Sequence, residues 1–348
     1  MTKPARNLNN FDLLRLVFAS MVFLHHSYSL TGDPGLLKLG YFFRVEFAIN
    51  CFFVISGFLV FMSFDNSKSV KEYLAKRFRR IYPAYFSVII LCAFLGLFIT
   101  DLSLPEYFSM KFIKYLAANL SLLNFIEPSL PGVFINNPIK AVNGALWTIR
   151  TEVMCYCLVP VIVILIRRFS KGVLFAIIYF LAYILFQVFN VISVRTGQTI
   201  FMQLAYIPWH FLCFLSGGII YFNYSYFEKK ARLLFLLSLF IYLGSIASGL
   251  TILKPISLAV LIIYSACFFY YLGNFGKYGD FSYGVYIFHF PIIQTLIYYN
   301  IFRVNPFLAF ALSSAIILII SFISWHMIEK PFLKRSSHYV IANKMSHG

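Results

Sequence analysis

Charged residues are scarce in this chain, and acidic residues are the scarcest. Only 12% of the 348 residues are charged, with 12 Asp and Glu against 29 Lys and Arg. Hydrophobic residues make up 61% of the sequence, and its mean hydropathy of +0.81 lies far outside the range of soluble domains. This scarcity of charge excludes an ordinary soluble protein and predicts an all-α integral membrane protein.

Several signals of other protein classes are also missing. The six cysteines all fall in apolar segments, and their spacing matches no zinc, redox or disulfide framework. We therefore predict no metal site and interpret the cysteines as small buried residues. No internal repeat or low-complexity run is visible. Asp12, Arg15 and the histidines at 25 and 26 interrupt the first apolar run, which predicts a permanent helix rather than a cleaved signal peptide.

Long apolar segments, by contrast, recur along the whole sequence. Each is long enough to cross a hydrocarbon core of about 30 Å, and we predict about ten transmembrane helices. The predicted spans are 11–30, 43–63, 84–101, 145–166, 172–191, 201–222, 232–250, 255–273, 282–301 and 305–327. These spans leave no room for a separate soluble domain. We expect one membrane domain over residues 10–335, which would act alone, and a cytoplasmic tail over 336–348.

Basic residues are distributed unevenly between the predicted connections. With the N-terminus taken as cytoplasmic, most Lys and Arg residues fall in the inside connections. The outside connections hold few, among them Lys111, Lys114, Lys140, Arg195, Lys254 and Arg303. This pattern follows the positive-inside rule and predicts that both termini are cytoplasmic. It accounts for most of the net charge of +17 without a nucleic-acid partner.

One predicted connection, at about residues 102–144, is much longer than the others and faces outside. It contains the amphipathic stretch FIKYLAANLSLLNF, which favours a helix lying on the membrane. Loops of this length in compact proteins are usually functional. The sequence leaves open whether this connection is a lid, an acceptor-binding element or a spacer.

Two ionisable residues share one face of the first predicted helix. Arg15 and His26 are 11 residues apart, which at 100° per residue is three turns plus about 20°. They lie about 16 Å apart along the axis, so the arginine is near one surface and the histidine is well inside the membrane. Such costly groups favour a function, namely proton transfer by His26 and binding of an anionic group by Arg15. The alternative is that the histidine only hydrogen-bonds a neighbouring helix.

A second candidate group is the basic segment KRFRRIYPAY at residues 76–85. Arg77 and Arg80 are three positions apart and are neighbours on a helix. Guanidinium groups bind phosphate in a bidentate manner, so the pair could hold a nucleotide-like ligand that arrives from the cytosol. The alternative is that this cluster only fixes topology or contacts anionic lipid.

A third group lies in ALWTIRTEVMCYCLVP at residues 145–160. Glu152 falls inside a predicted membrane helix, where a carboxylate needs a partner, and Tyr156 shares its face. If this helix abuts the first, Glu152 could orient or charge the imidazole of His26. In the rival arrangement Arg150 or another cation neutralises Glu152.

The segment YGDFSYGVYIFHFPI carries a polar stripe on an otherwise apolar helix. Ser282, Tyr286 and His289 lie within about 40° of one line, and spacing alone leaves open whether they line a cavity or join helices. Asp280 precedes the stripe and could cap the helix. In two further segments we predict only packing at Ser56-Gly57 and anchoring of the last helix at Glu329.

These segments together resemble acyltransferase family three, the multi-pass membrane acyltransferases that modify bacterial surface polysaccharides. The matching segments, in order, are the Arg15 and His26 pair, FFVISGF at 52–58, Arg77 and Arg80 followed by IYP, Trp147 with Glu152 and Tyr156, SYGVYIFHFP and EKPF. They span residues 10–335 and so cover almost the entire chain. His25 doubles the histidine, so the choice of His26 depends on the ten-residue spacing from Arg15.

The resemblance implies an O-acyltransferase, usually an O-acetyltransferase, in the bacterial cytoplasmic (inner) membrane. An acyl-CoA, usually acetyl-CoA, is expected as the donor and no cofactor is permanently bound. Its phosphates would lie near Arg77, Arg80 and Arg15. His26, together with Glu152, would act on transfer to a hydroxyl of a surface polysaccharide, O-antigen or lipid-linked glycan, as a general base or a transient acyl carrier.

Five further residues are expected to line the cavity, namely Trp147, Tyr156, Ser282, Tyr286 and His289. Membrane lipid is the remaining expected partner. The main alternative function is a transporter or exporter that moves a glycan or lipid-linked intermediate without acyl transfer. Its usual signature is repeated halves with paired broken helices, and neither is visible in this sequence.

Overall fold

The structure is a computed structural model that describes residues 9–37, 41 and 43–333. All regular secondary structure in this part of the chain is helical, which confirms the predicted all-α class. The helices are α1 (Phe11–Ser29), α2 (Val45–Asp65), α3 (Val70–Leu95), α4 (Leu104–Tyr107), α5 (Met110–Leu120), α6 (Trp147–Arg168), α7 (Lys171–Thr196), α8 (Thr199–Phe222), α9 (Tyr224–Ser248), α10 (Lys254–Cys267), α11 (Ser282–Tyr298), α12 (Ile301–Val304), α13 (Pro306–Ile323) and α14 (Lys330–Phe332). A π-helical segment, Ser324–Glu329, joins α13 to α14.

Within the described residues, seven helical segments are long and apolar enough to cross a membrane. They are Val45–Asp65, Val70–Phe98, Gly144–Arg168, Lys171–Thr196, Thr199–Phe222, Tyr224–Ser248 and Pro306–Phe332. The three other predicted spans also coincide with helices. However, α10 and α11 have only 14 and 17 residues, and polar residues lower the hydropathy of α1. The total of about ten spans and the cytoplasmic termini stay predictions, and residues 336–348 lie outside the described part.

The third predicted span begins too late in the sequence. We expected it at 84–101, but α3 begins at Val70 and ends at Leu95. The segment before residue 84 is rich in Lys and Arg, so hydropathy alone predicts that it is a connection between helices. Lys, Arg, Leu and Ala are nevertheless strong helix formers, and the long basic side chains can reach beyond the apolar zone. The candidate arginines therefore lie on a continuous helix.

The chain divides into two compact units. The first unit contains the described parts of Met1–Leu14, Ile49–Leu74 and Thr151–Asn274. The second unit contains the described parts of Arg15–Ala48, Ala75–Arg150 and Phe275–Gly348. Of the predicted site residues, Glu152 and Tyr156 belong to the first unit and the others belong to the second.

Helices α2 and α8 pack closely against each other in the first unit. A Cβ atom on Gly57 of α2 would lie 1.9 Å from the carbonyl oxygen of Phe214 in α8. A Cβ atom on Gly217 of α8 would lie 2.2 Å from the carbonyl oxygen of Val54 in α2. Only glycine fits at either position, so the predicted packing role of Ser56-Gly57 is confirmed for Gly57.

The long connection between α3 and α6 is a folded part of the second unit. Gln294 of α11 donates from Nε2 to the carbonyl oxygens of Ile139 at 2.6 Å and Ala141 at 2.8 Å. Asn143 donates from Nδ2 to the carbonyl oxygen of Ile287 at 2.8 Å. Helix α5 covers most of the predicted amphipathic stretch. These bonds fasten the connection to α11, the helix that carries the polar stripe.

Candidate active site

His26 and His289 form a pair in the second unit. His26 lies near the end of α1, and His289 lies in the middle of α11. Their rings stack with centroids 5.0 Å apart and an interplanar angle of 22°. Nδ1 of His26 is 2.9 Å from Nε2 of His289, which is hydrogen-bond distance. His289 is fully buried and His26 is partly exposed, so His26 is the ring that a reactant can reach.

The rest of the polar stripe is also hydrogen-bonded to its surroundings. Tyr286 Oη lies 2.6 Å from Oγ1 of Thr148 and 3.2 Å from the carbonyl oxygen of Ala145. Trp147 begins α6 beside Thr148 and is partly exposed. The stripe of α11 therefore reaches the start of α6 through Tyr286 and the end of α1 through His289.

Asp280 joins two arginines immediately before α11. Its side chain is 1% exposed, and its Oδ2 forms ion pairs with both Arg15 of α1 and Arg80 of α3. Its Oδ1 accepts hydrogen bonds from the backbone N–H and the hydroxyl of Ser282. The bond from the Ser282 N–H satisfies one free donor of the first turn of α11, although the N-cap position itself belongs to Phe281 and not to Asp280. The role of Asp280 as the partner of two arginines was not predicted.

Two opposing effects act on the pKa of the Asp280 carboxyl group. Burial raises this pKa, because the interior solvates the charge poorly. The guanidinium groups of Arg15 and Arg80 and the two hydrogen bonds from Ser282 outweigh burial and lower the pKa to about 2. Asp280 is therefore ionised at neutral pH and balances part of the positive charge around it.

Glu329 supplies a second carboxylate to Arg80. It lies in the π-helical segment and is 1% exposed. Its Oε2 accepts from Nη1 of Arg80 at 2.9 Å, and its Oε1 accepts from Oγ of Ser324 at 3.1 Å. We call Arg15, Arg80, Asp280 and Glu329 the arginine cluster. The available sequence signal was a lone carboxylate at the end of an apolar helix, which we interpreted only as an anchor.

The structure changes the predicted grouping of the three arginines that are expected to bind the donor. Arg77 and Arg80 both lie on α3, as predicted, and Arg77 is half-buried. Arg80 and Arg15 converge on Asp280, although they come from different helices. The convergence brings together two of the three residues expected to bind the donor. Phosphate binding by these three arginines stays a prediction.

Glu152 belongs to a separate hydrogen-bonded group in the first unit. Its Oε1 accepts from Oγ of Ser56 at 2.8 Å and from the hydroxyl of Tyr156, and the two hydroxyl oxygens are 3.3 Å apart. The predicted shared face of Glu152 and Tyr156 is thus confirmed. Ser56 was predicted only as a packing residue. The pairing of Glu152 with His26 or Arg150 concerns residues of different units and stays a prediction.

Comparison with known proteins identifies the family. The family model of the acyltransferase domain, acyltransferase family three, matches residues 8–326. The chain belongs to this family. An O-acetyl transferase of Shigella phage Sf6 is 30% identical over 94% of this chain and 97% of its own length. Nodulation protein 10 of Rhizobium leguminosarum bv. viciae is 26% identical over 97% of this chain and 96% of its own length. No solved structure matches the chain.

Family membership confirms the resemblance found in the sequence segments. Together with the seven apolar helices, it identifies a multi-pass membrane acyltransferase. The matched region, 8–326, includes every predicted site residue. Glu329 lies just beyond the match, although its side chain is part of the arginine cluster.

Proposed function

We propose that this membrane acyltransferase is an O-acetyltransferase of the bacterial inner membrane. It transfers the acyl group of cytosolic acetyl-CoA to a hydroxyl of a cell-surface polysaccharide, an O-antigen or a lipid-linked glycan. The name of the phage relative, O-acetyl transferase, supports the acetyl group and the oxygen acceptor. The excess of basic residues in the predicted inside connections supports a donor that arrives from the cytosol.

One observation carries the proposal, namely a partly exposed histidine held by a buried one. Nδ1 of His26 is tied to His289 at 2.9 Å, so the other ring nitrogen of His26 is available to a reactant. Histidine is the side chain best suited to take and return a proton near neutral pH. Acyl transfer to a hydroxyl needs such a base, because a neutral hydroxyl is a weak nucleophile.

In the proposed reaction, His26 takes the proton of the acceptor hydroxyl as its oxygen attacks the thioester carbonyl carbon. The new C–O bond forms and the C–S bond breaks. CoA leaves as a thiolate, which takes the proton back from His26. The products are the O-acyl ester and free CoA. In the second route that the family resemblance implies, the ring of His26 first carries the acyl group and then passes it to the hydroxyl.

The donor is proposed to bind near Arg15, Arg77 and Arg80. Guanidinium groups suit the phosphates of CoA because they donate two parallel hydrogen bonds to one phosphate. Asp280 and Glu329 hold Arg15 and Arg80 in place and balance charge inside the protein. These five side chains comprise three arginines and two carboxyl groups, so the set keeps a positive balance that favours an anion.

Glu152 is proposed to act with the acceptor. Ser56 and Tyr156 both donate to its Oε1, which fixes the orientation of the carboxylate. Its Oε2 is the oxygen that can accept a hydrogen bond from a hydroxyl. Hydroxyl groups and a carboxylate in one place are typical of sites that bind sugars, where each sugar hydroxyl needs a partner.

The decisive experiment replaces His26 with Ala in the native cell and measures acetyl groups on the surface glycan. We expect His26→Ala to abolish acetylation, because a general base contributes about 10²–10⁴-fold to the rate. The neighbouring histidine gives a matched control, since His25→Ala removes the same ring from the same helix turn. Immunoblots of the membrane fraction confirm equal expression of both variants.

The two variants also test the choice between the adjacent histidines. We expect the glycan of His25→Ala cells to keep its acetyl groups. Full acetylation in the His26→Ala strain, with the protein present in the membrane, would refute the enzymatic proposal for this residue. Loss in the His25→Ala strain alone would move the catalytic role to His25.

A further inference from the structure

The contacts of His289 determine which of its ring nitrogens carries hydrogen. Its Nδ1 is 3.1 Å from the carbonyl oxygen of Val285, and its Nε2 is 2.9 Å from Nδ1 of His26. A carbonyl oxygen can only accept, so Nδ1 of His289 must donate. Full burial favours the neutral ring, because an uncompensated charge is costly in the interior. In the neutral ring Nε2 has no hydrogen and accepts.

The position of the hydrogen on His289 determines the position of the hydrogen on His26. Because Nε2 of His289 is an acceptor, Nδ1 of His26 must be the donor in the bond that joins them. A neutral His26 with hydrogen on Nδ1 has a lone pair and no hydrogen on Nε2. The pair therefore presents one particular atom, Nε2 of His26, as its basic nitrogen.

Aromatic packing holds both rings in this arrangement. The ring centroids of Tyr286 and Phe290 lie 6.0 and 6.4 Å from that of His289. The ring of Phe290 also packs edge-on against His26, with centroids 5.4 Å apart. Rotation of either imidazole would break the hydrogen bond between them or move a ring against these neighbours.

We propose that His289 is the positioning residue of the active site. By accepting the hydrogen bond from Nδ1–H of His26, it holds His26 in the tautomer whose Nε2 takes the proton of the acceptor hydroxyl. This inference rests on the proposed function and gives His289 a role beyond lining the cavity. In the opposite tautomer, Nε2 of His26 carries hydrogen and cannot act as a base.

The protons balance through the reaction. When Nε2 of His26 takes the hydroxyl proton, the ring becomes an imidazolium with hydrogen on both nitrogens. Its Nδ1–H bond to His289 is then charge-assisted and stronger than before. The proton returns from Nε2 to the CoA thiolate, and both rings regain their starting state.

The test compares His289→Gln with His289→Ala. The amide oxygen of Gln can accept a hydrogen bond from Nδ1–H, whereas Ala offers no acceptor. Transfer of radiolabelled acetyl from acetyl-CoA to the endogenous glycan is measured in membrane vesicles at several donor concentrations. Wild-type, His26→Ala and His25→Ala vesicles are measured in parallel.

We expect His289→Ala to lower kcat at least about 100-fold, because base catalysis is worth about 10²–10⁴-fold. The KM for acetyl-CoA should not change, since His289 does not belong to the arginine cluster. His289→Gln should recover the rate to within about 10-fold of wild type, because it restores the acceptor. A merely structural role would instead lower the amount of protein in the membrane without a recovery by Gln.

Nitrogen-15 NMR of histidine-labelled protein in detergent gives a readout that is independent of activity. The His26 ring signals are those missing in His26→Ala, and we expect hydrogen on Nδ1 in wild type and loss of this preference in His289→Ala. Full activity of His289→Ala would overturn the positioning role, and so would a Gln variant that is no more active than Ala. If His26→Ala is inactive in the same experiment, the proposed function stands even though the positioning role fails. Activity in His26→Ala would instead refute the proposed role of His26 as the base.

Discussion

Asp280 is a buried carboxylate whose Oδ2 forms ion pairs with two guanidinium groups. Arg15 comes from α1 and Arg80 from α3, while Asp280 lies just before α11. One side chain thus ties three elements of the second unit together. Removing one partner of a buried ion pair leaves an uncompensated charge and costs about 3–5 kcal/mol. An exposed ion pair, by contrast, contributes about 0–1 kcal/mol.

We therefore expect Asp280→Asn to lower the free energy of unfolding by about 3 kcal/mol. The amide still accepts hydrogen bonds but no longer balances the charge of Arg15 and Arg80. Thermal unfolding of the purified protein in detergent measures the change. The exposed Glu228 provides the control, since Glu228→Gln should change stability by less than about 0.5 kcal/mol. Equal stability of the two variants would contradict a stabilising role for Asp280.

The pH at which this comparison is made follows from the pKa of Asp280. Its pKa is about 2 in the folded protein and about 3.9 in an unfolded chain. The folded state binds this proton less readily than the unfolded state, so the ionised group stabilises the fold. This contribution is complete above the unfolded pKa and is lost as the pH falls through about 2. Measurements at neutral pH therefore record its full value.

At the scale of elements, hydropathy predicts where a helix begins only when its first turn is apolar. Helix α8 was expected at 201–222 and runs from Thr199 to Phe222, because its apolar run is bounded by polar residues. The third span was misplaced because its first turns are basic. A long apolar run indicates a segment buried in lipid. A basic amphipathic turn has the same sequence pattern whether it continues a helix or connects two helices, so hydropathy cannot distinguish the two.

Close contact between α2 and α8 gives the element-scale prediction. Gly57→Ala would place a methyl group 1.9 Å from the carbonyl oxygen of Phe214, so the helices must separate. We expect a loss of stability of about 1–3 kcal/mol, which is typical of overpacking. Thermal unfolding in detergent and the yield of folded protein on size-exclusion chromatography measure it.

A second helix-interior glycine supplies the matched control for Gly57. Gly244 of α9 has no atom within 4 Å of an added Cβ. Gly244→Ala should therefore be neutral or stabilising by up to about 1 kcal/mol, because Ala is the better helix former. If Gly57→Ala were as stable as Gly244→Ala, the tight α2–α8 contact would not exist in solution.

At the scale of the whole molecule, sequence identified most site residues singly but not their partners. His26 and His289 are 263 positions apart, and Arg80 and Glu329 are 249 apart. His26, His289 and Glu329 stood out as polar residues in apolar segments, which is a local signal. Arg80 stood out as part of a basic segment, which is also local. Their pairing depends on how distant helices pack, and no periodicity encodes that. Sequence alone therefore predicts only a helix cap at Asp280 and an anchor at Glu329.

The charge asymmetry of the connections makes a prediction for the molecule as a whole. The positive-inside rule places the long connection outside and the start of α9 in the cytoplasm. Lys140 and Lys229 are exposed residues at these two places. We expect Lys140→Cys to react with a membrane-impermeant maleimide in intact spheroplasts and Lys229→Cys to react only after permeabilisation.

The native protein provides the background for this labelling. Five of its cysteines are buried, and the exposed Cys157 lies in the membrane-crossing helix α6, where a polar reagent does not reach. Labelling of Lys229→Cys in intact spheroplasts, with Lys140→Cys protected, would invert the topology. Arg77 and Arg80 would then face away from cytosolic acyl-CoA, because they lie on the same predicted side as Lys229. The orientation of the whole molecule therefore decides whether the proposed donor site can receive its substrate.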